Sequence, residues 1–138
     1  MSISIQETPT KWILNPHNIK VSRCILDYAV TLDMINAGIG TQATIKIECD
    51  FVLIKNGITQ LIEAQNFESI GQAAVLISKE LLEGQIFKNG DLELKFSDNI
   101  ALTVKSHEFY EAWTITLLDR AMFVSIPGGD IAYWSAEP

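Results

Sequence analysis

The sequence predicts an α+β fold: a curved antiparallel β-meander or half-barrel packed with one amphipathic helix. Three observations predict it. Apolar and polar residues alternate at period two in several short segments, as half-buried strands require. Turn signals such as Asn56-Gly57, Ser97-Asp98-Asn99 and Pro127-Gly128-Gly129 separate those segments at short intervals, which favours consecutive antiparallel strands. Only one stretch, residues 70–83, carries apolar residues at helical spacing.

Taken in order, residues 1–9 read as a short leader ending at Pro9 and free to fray. Thr10 to Leu14 is β-prone and stops at the turn signal Asn15-Pro16. Ile19 to Asp33 is long and β-rich, either two strands or one bent strand with an irregularity near Asp27-Tyr28. Residues 36–40, with two glycines, form a loop. The clearest strand is Thr44 to Phe51, which sends Ile45, Ile47, Cys49 and Phe51 to a core and Lys46, Glu48 and Asp50 to water. Val52 to Lys55 then runs into Asn56-Gly57, the strongest dipeptide signal for a tight hairpin.

The helix is expected over Ile70 to Glu83. Ser69 can cap it and Gln72 stands three residues on, which completes a capping box. Ile70, Ala73, Ala74, Ile77 and Leu81 form its apolar stripe, and Gly84 is its stop. Beyond it Leu92, Leu94 and Phe96 alternate, turn at Ser97-Asp98-Asn99, and alternate again as Ile100, Leu102 and Val104. Trp113, Ile115 and Leu117 make a further strand, with Trp113 directed to the core. Met122 to Ile126 and Ile131 to Trp134 flank the glycine-rich turn.

The chain has 138 residues, the size of one domain, so residues 1–138 are read as a single unit. With 48% hydrophobic and 20% charged residues, disorder, collagen and coiled coil are excluded by composition. No apolar run approaches the roughly 18 residues of a membrane helix, and no basic start precedes an apolar stretch, so a cytoplasmic protein off the membrane is expected. Ten Lys and Arg against seventeen Asp and Glu give −7, which argues against direct nucleic-acid binding. The second half is the more acidic, with ten acids and five bases over residues 70–138. Such a half can steer a basic partner.

The catalytic inventory is thin. His17 follows Pro16 in a turn and His107 precedes Glu108, with no metal-ligand spacing and no nucleophile elbow beside either. Gly38-Ile39-Gly40 lacks the third glycine of a dinucleotide fingerprint and precedes a strand, where that fingerprint needs a helix. Cys24 and Cys49 form no CxxC and read as buried free thiols of a reducing compartment. A protein without catalysis, cofactor or metal is therefore expected.

One stretch is distinctive. Tyr110-Glu111-Ala112-Trp113, Pro127-Gly128-Gly129 and Ile131-Ala132-Tyr133-Trp134, preceded by a hairpin beginning Gly90-Asp91-Leu92, together resemble a bacterial domain family of unknown function. The likeness covers residues 85–134 well and the first half in outline. It brings no catalytic residues. Small acidic domains of this kind are similar to immunity proteins of bacterial toxin systems, including contact-dependent growth inhibition. The resemblance thus implies an inhibitor that binds a cognate toxin domain, such as a basic nuclease. Glu108, Glu111, Asp119 and Asp130, with Tyr110 as aromatic anchor, are the candidate contacts, because strand ends and turns reach a partner without disturbing a core. The alternative is a module that binds a small molecule or peptide in the cup of a curved sheet.

Overall fold

The computed structural model describes residues 3–136; Met1 and Ser2 of the expected leader lie outside them. Period-two segments and their turns build two antiparallel sheets. The strands are β1 (Ile3–Glu7), β2 (Lys11–Pro16), β3 (Lys20–Leu26), β4 (Val30–Asn36), β5 (Gly40–Ile47), β6 (Phe51–Lys55) and β7 (Ile58–Ile62). After a short helical segment come β8 (Leu81–Phe87), β9 (Leu92–Phe96), β10 (Ile100–Val104), β11 (Trp113–Leu117), β12 (Met122–Ile126) and β13 (Asp130–Trp134). The seven-stranded sheet runs β1-β2-β8-β9-β10-β6-β7 and the six-stranded sheet β13-β12-β11-β5-β4-β3.

Each sheet buries one face in a single shared core. Leu92, Leu94, Phe96, Ile100 and Leu102 fill it from one side, and Leu32, Met34, Ile45, Ile47 and Ile115 from the other. Along one flank Trp12 of β2 meets Phe123 of β12 and Tyr133 of β13, ring centroids 5.3 and 5.5 Å apart, and so joins the sheets. Accessible surface is 7244 Å², close to the roughly 7,200 Å² of a compact fold of this mass. The leader segment is also built in, since Ile3–Glu7 pairs with Trp12–Pro16 as an edge strand.

The α+β expectation is overturned: the described chain is nearly all β. Over 70–83 there is no amphipathic helix. A single α-turn, α1 (Phe67–Ile70), passes into a 3₁₀-helix at Gly71–Leu76, and β8 begins at Leu81. The buried residues are Ile70, Ala73 and Leu76, a spacing of three that suits the 3₁₀ repeat. Ala74 and Ile77, which an α-helical stripe needs, are exposed. Strand pairing competes for the same backbone and wins. The Ser78 N–H donates to the Val21 carbonyl at 2.7 Å, Val21 to Lys79 at 3.0 Å and Leu81 to Ile19 at 2.8 Å, so residues 78–81 extend the edge of β3. The capping signals are reassigned accordingly. Asn66 is the N-cap, accepting from the backbone N–H of Glu68 and Ser69, while the Ser69 hydroxyl accepts from the Glu63 N–H at 2.7 Å. Gly84, expected as a helix stop, lies inside β8, where a Cβ would come within 3.1–3.2 Å of Leu14 and Leu94.

The meander expectation also needs correction, because strand order departs from chain order. The expected Thr44–Phe51 strand is two: β5 ends at Ile47, residues 48–50 turn a corner, and β6 starts in the opposite sheet. Alternation continues through the corner, so periodicity hides the change of sheet. The registers then collect several connections at one end of the sandwich. Val30 pairs with Ile47 and Ile47 with Trp113, while Val104 pairs with Leu92 and Phe51 with Ile62. Turn 27–29, corner 48–50, segment 63–66, turn 88–91, loop 105–112 and turn 127–129 all emerge there.

Candidate functional site

The connections at this end are braced from beneath. The Gly90 carbonyl accepts two buried hydrogen bonds, from the Trp113 indole at 2.9 Å and from the Ser125 hydroxyl at 2.8 Å. The Asp91 carboxylate accepts from the Ser106 backbone at 2.9 Å, and the Gly128 N–H donates to the His107 carbonyl at 3.1 Å. The Glu48 N–H donates to the Ala112 carbonyl at 2.9 Å, and the Asp50 carboxylate accepts from the Ala64 N–H at the same distance. These loops are therefore tied to their neighbours through the backbone, which limits their freedom. Glycine at position 90 is required on two counts: φ is +98°, and a Cβ would fall 2.7 Å from that of Ser106. Turn 88–91, loop 105–112 and turn 127–129 thus converge in space.

On this platform stand exposed aromatics and carboxylates. Phe109 and Tyr110 are 70% and 68% exposed, and Glu108 and Glu111 flank them. Across the end Tyr28 and Phe67, each more than half exposed, touch with ring centroids 4.9 Å apart. Asp27, Glu48, Asp50 and Glu63 are exposed nearby. Singly exposed apolar residues are ordinary, but aromatic pairs rimmed by charge fit an interaction surface.

The five sequence-derived candidates do not all gather here. Glu108, Tyr110 and Glu111 share loop 105–112, and Asp130 opens β13 beside it, its carboxylate accepting from the Ile131 N–H at 2.8 Å. Asp119 lies at the opposite end of the β11–β12 hairpin, roughly 15 Å away along five strand residues. There its carboxylate stabilises the turn, accepting from the Ala121 N–H at 3.0 Å. Sequence reasoning does not find Tyr28, Phe67 and Phe109 as parts of one surface. No local signal links Tyr28 to Phe67, because their contact depends on which sheets the strands join.

A cleft of about 300 Å³ opens between corner 48–50, residues 64–65 and residues 105–107, with Tyr110 at its edge. The His107 ring packs against Tyr110 at 4.9 Å, and its Nδ1 accepts from the Phe109 N–H at 3.0 Å. Cys49 also lines the cleft, yet burial, reinforced by the charges of Asp50 and Glu48, pushes its thiol up to about 11. At neutral pH it is a thiol and not a nucleophile. Iodoacetamide should therefore alkylate Cys49 slowly at neutral pH, with a rate rising about tenfold per pH unit toward 11. A rate plateau below about pH 9 would refute this.

Among the described residues, no three His, Cys, Asp or Glu side chains are placed to hold a metal ion. Among the same residues no helix is long and apolar enough to cross a membrane. The inner faces of the two sheets meet in the common core.

Comparison with curated proteins and with solved structures returns no match. One family model does match, over residues 12–135, and so takes in strands well before the motif-bearing stretch. The match spans both sheets: the chain belongs to a family of unknown function, DUF6188.

Proposed function

We propose that this chain is an inhibitor of the immunity type, which binds a cognate bacterial toxin domain through the loop end and neutralises it by contact. One observation carries the reading: two aromatic pairs, Tyr28 with Phe67 and Tyr110 with His107, stand among carboxylates at one end of the sandwich. Aromatic anchors supply binding energy at an interface. Carboxylates around them raise the association rate with a basic protein, such as a nuclease, and disfavour nucleic acid. The action is stoichiometric, in the cytoplasm, without cofactor or turnover. Glu108, Tyr110, Glu111 and Asp130 remain contact candidates; Asp119, at the far end, serves as the control.

The test begins with capture of the partner from the native bacterium and continues with its expression alone and together with this chain. Growth arrest by the partner, relieved by co-expression, supports immunity. A partner harmless on its own ends the proposal. The interface has its own test. Glu108→Lys with Glu111→Lys should slow association about tenfold at low salt and flatten its salt dependence, while Asp119→Lys leaves both nearly unchanged. Equal effects from the two ends would remove the loop end as the contact.

A further inference from the structure

The cleft beside Tyr110 has features that select its occupant. Its volume of about 300 Å³ lies at the lower limit of small-ligand sites, enough for one long side chain. Glu48, Asp50, Gln65 and Tyr110 are among the residues that line it. Two basic residues border it, His107 and Lys105, and the Lys105 ammonium lies 3.4 Å from the Asp91 carboxylate. Asp50 spends one carboxylate oxygen on the Ala64 N–H, and Glu48 reaches the cleft from a backbone already bonded to Ala112. Burial first, and the charges of Asp50 and Glu48 after it, push the neighbouring Cys49 thiol up.

We propose that this cleft receives the guanidinium of an arginine presented by the bound partner, with Glu48 and Asp50 accepting its hydrogen bonds and Tyr110 stacking on its plane. The assignment rests on the inhibitor reading above and names the chemistry of its central contact. Arginine fits better than lysine for a geometric reason. A planar, weakly hydrated fork can bridge two carboxylates and lie flat on a ring at once, whereas an ammonium is a compact, strongly hydrated point charge. A metal ion fits poorly, because the two carboxylates are not joined by a third ligating side chain in coordinating position. His107 holds the ring in place: it packs on Tyr110 and is itself tied to the Phe109 backbone.

The experiment uses the full chain, labelled for amide NMR and titrated with N-acetyl-arginine amide. N-acetyl-citrulline amide is the neutral isostere and N-acetyl-lysine amide the point-charge comparison. Arginine should give saturable shifts confined to residues 48–50, 64–65 and 105–110, with citrulline at least about tenfold weaker. Glu48→Gln should weaken arginine about tenfold while leaving distant amides in place, and Tyr110→Leu should narrow the preference for arginine over lysine. Absence of saturable shifts up to the solubility of the probe overturns the proposal, as do equal responses to citrulline or shifts elsewhere. The two readings fail separately. A neutralised toxin with an arginine-blind cleft refutes the cleft alone. Arginine binding by a chain whose captured partner is harmless refutes the inhibitor alone.

Discussion

Replacing Trp113 by alanine is expected to cost about 3–5 kcal/mol, the range for removing a large buried aromatic side chain. A domain of this size has only about 5–15 kcal/mol in total, so the variant should lose a substantial part of its urea resistance. Trp113 is fully buried and opens β11, where it pairs with Ile47. Its indole also donates to the Gly90 carbonyl, which connects the core to the loop end. Trp113→Phe separates the two contributions. Most of the apolar volume remains, and Gly90 keeps the Ser125 hydroxyl as donor, so the loss should be about 1–2 kcal/mol. Urea denaturation followed by circular dichroism measures both. A cost for Trp113→Ala below that of Trp113→Phe would contradict the packing argument.

Gly90→Ala should be nearly as damaging, at about 2–5 kcal/mol. The added Cβ must sit in a backbone region strained for any L residue and only 2.7 Å from the Ser106 Cβ. Gly128 supplies the control. Its φ is similar, +91°, but a Cβ there would meet nothing within 4 Å, so Gly128→Ala carries the backbone cost alone, about 1 kcal/mol. The difference between the two variants measures the close approach of turn 88–91 to Ser106, Ser125 and Asp130, of which Ser106 is the nearest. Pairing Gly90→Ala with Ser106→Gly should recover part of the loss, because it removes the atom that is struck. Equal losses at positions 90 and 128 would show that the approach is not what demands glycine.

These two sites also mark how far the sequence can be read. Trp113 is legible as a core residue from period two alone, and it is fully buried. Gly90 is legible as a turn residue, but its close approach to Ser106 and its two buried donors are not, since those partners lie 16 to 35 residues away in the chain. Of the candidate contacts, Glu108, Tyr110 and Glu111 fall together because they are neighbours in one loop. Asp119 is grouped with them by charge and by its turn position, neither of which says at which end of a hairpin a residue lies.

By itself the sequence determined the local grammar of this protein. Asn56 and Gly57 take φ of +51° and +78°, the conformation that turns β6 into β7, and Asp27-Tyr28 breaks the long N-terminal run where Tyr28 reaches +62°. The alternation of Leu92 to Phe96 and of Ile100 to Val104 sets which face of each strand is buried. Only the tertiary structure decided which sheet each strand joins, that β5 and β6 part at residues 48–50, and that residues 78–81 pair with β3 instead of ending a helix. The reason is physical. Turn geometry and side-chain alternation are set by neighbours within a few residues, whereas strand partners compete across the whole chain. A segment such as 70–83, whose spacing suits a helix, takes whichever arrangement satisfies its backbone and buries Ile70, Ala73 and Leu76 in the finished core.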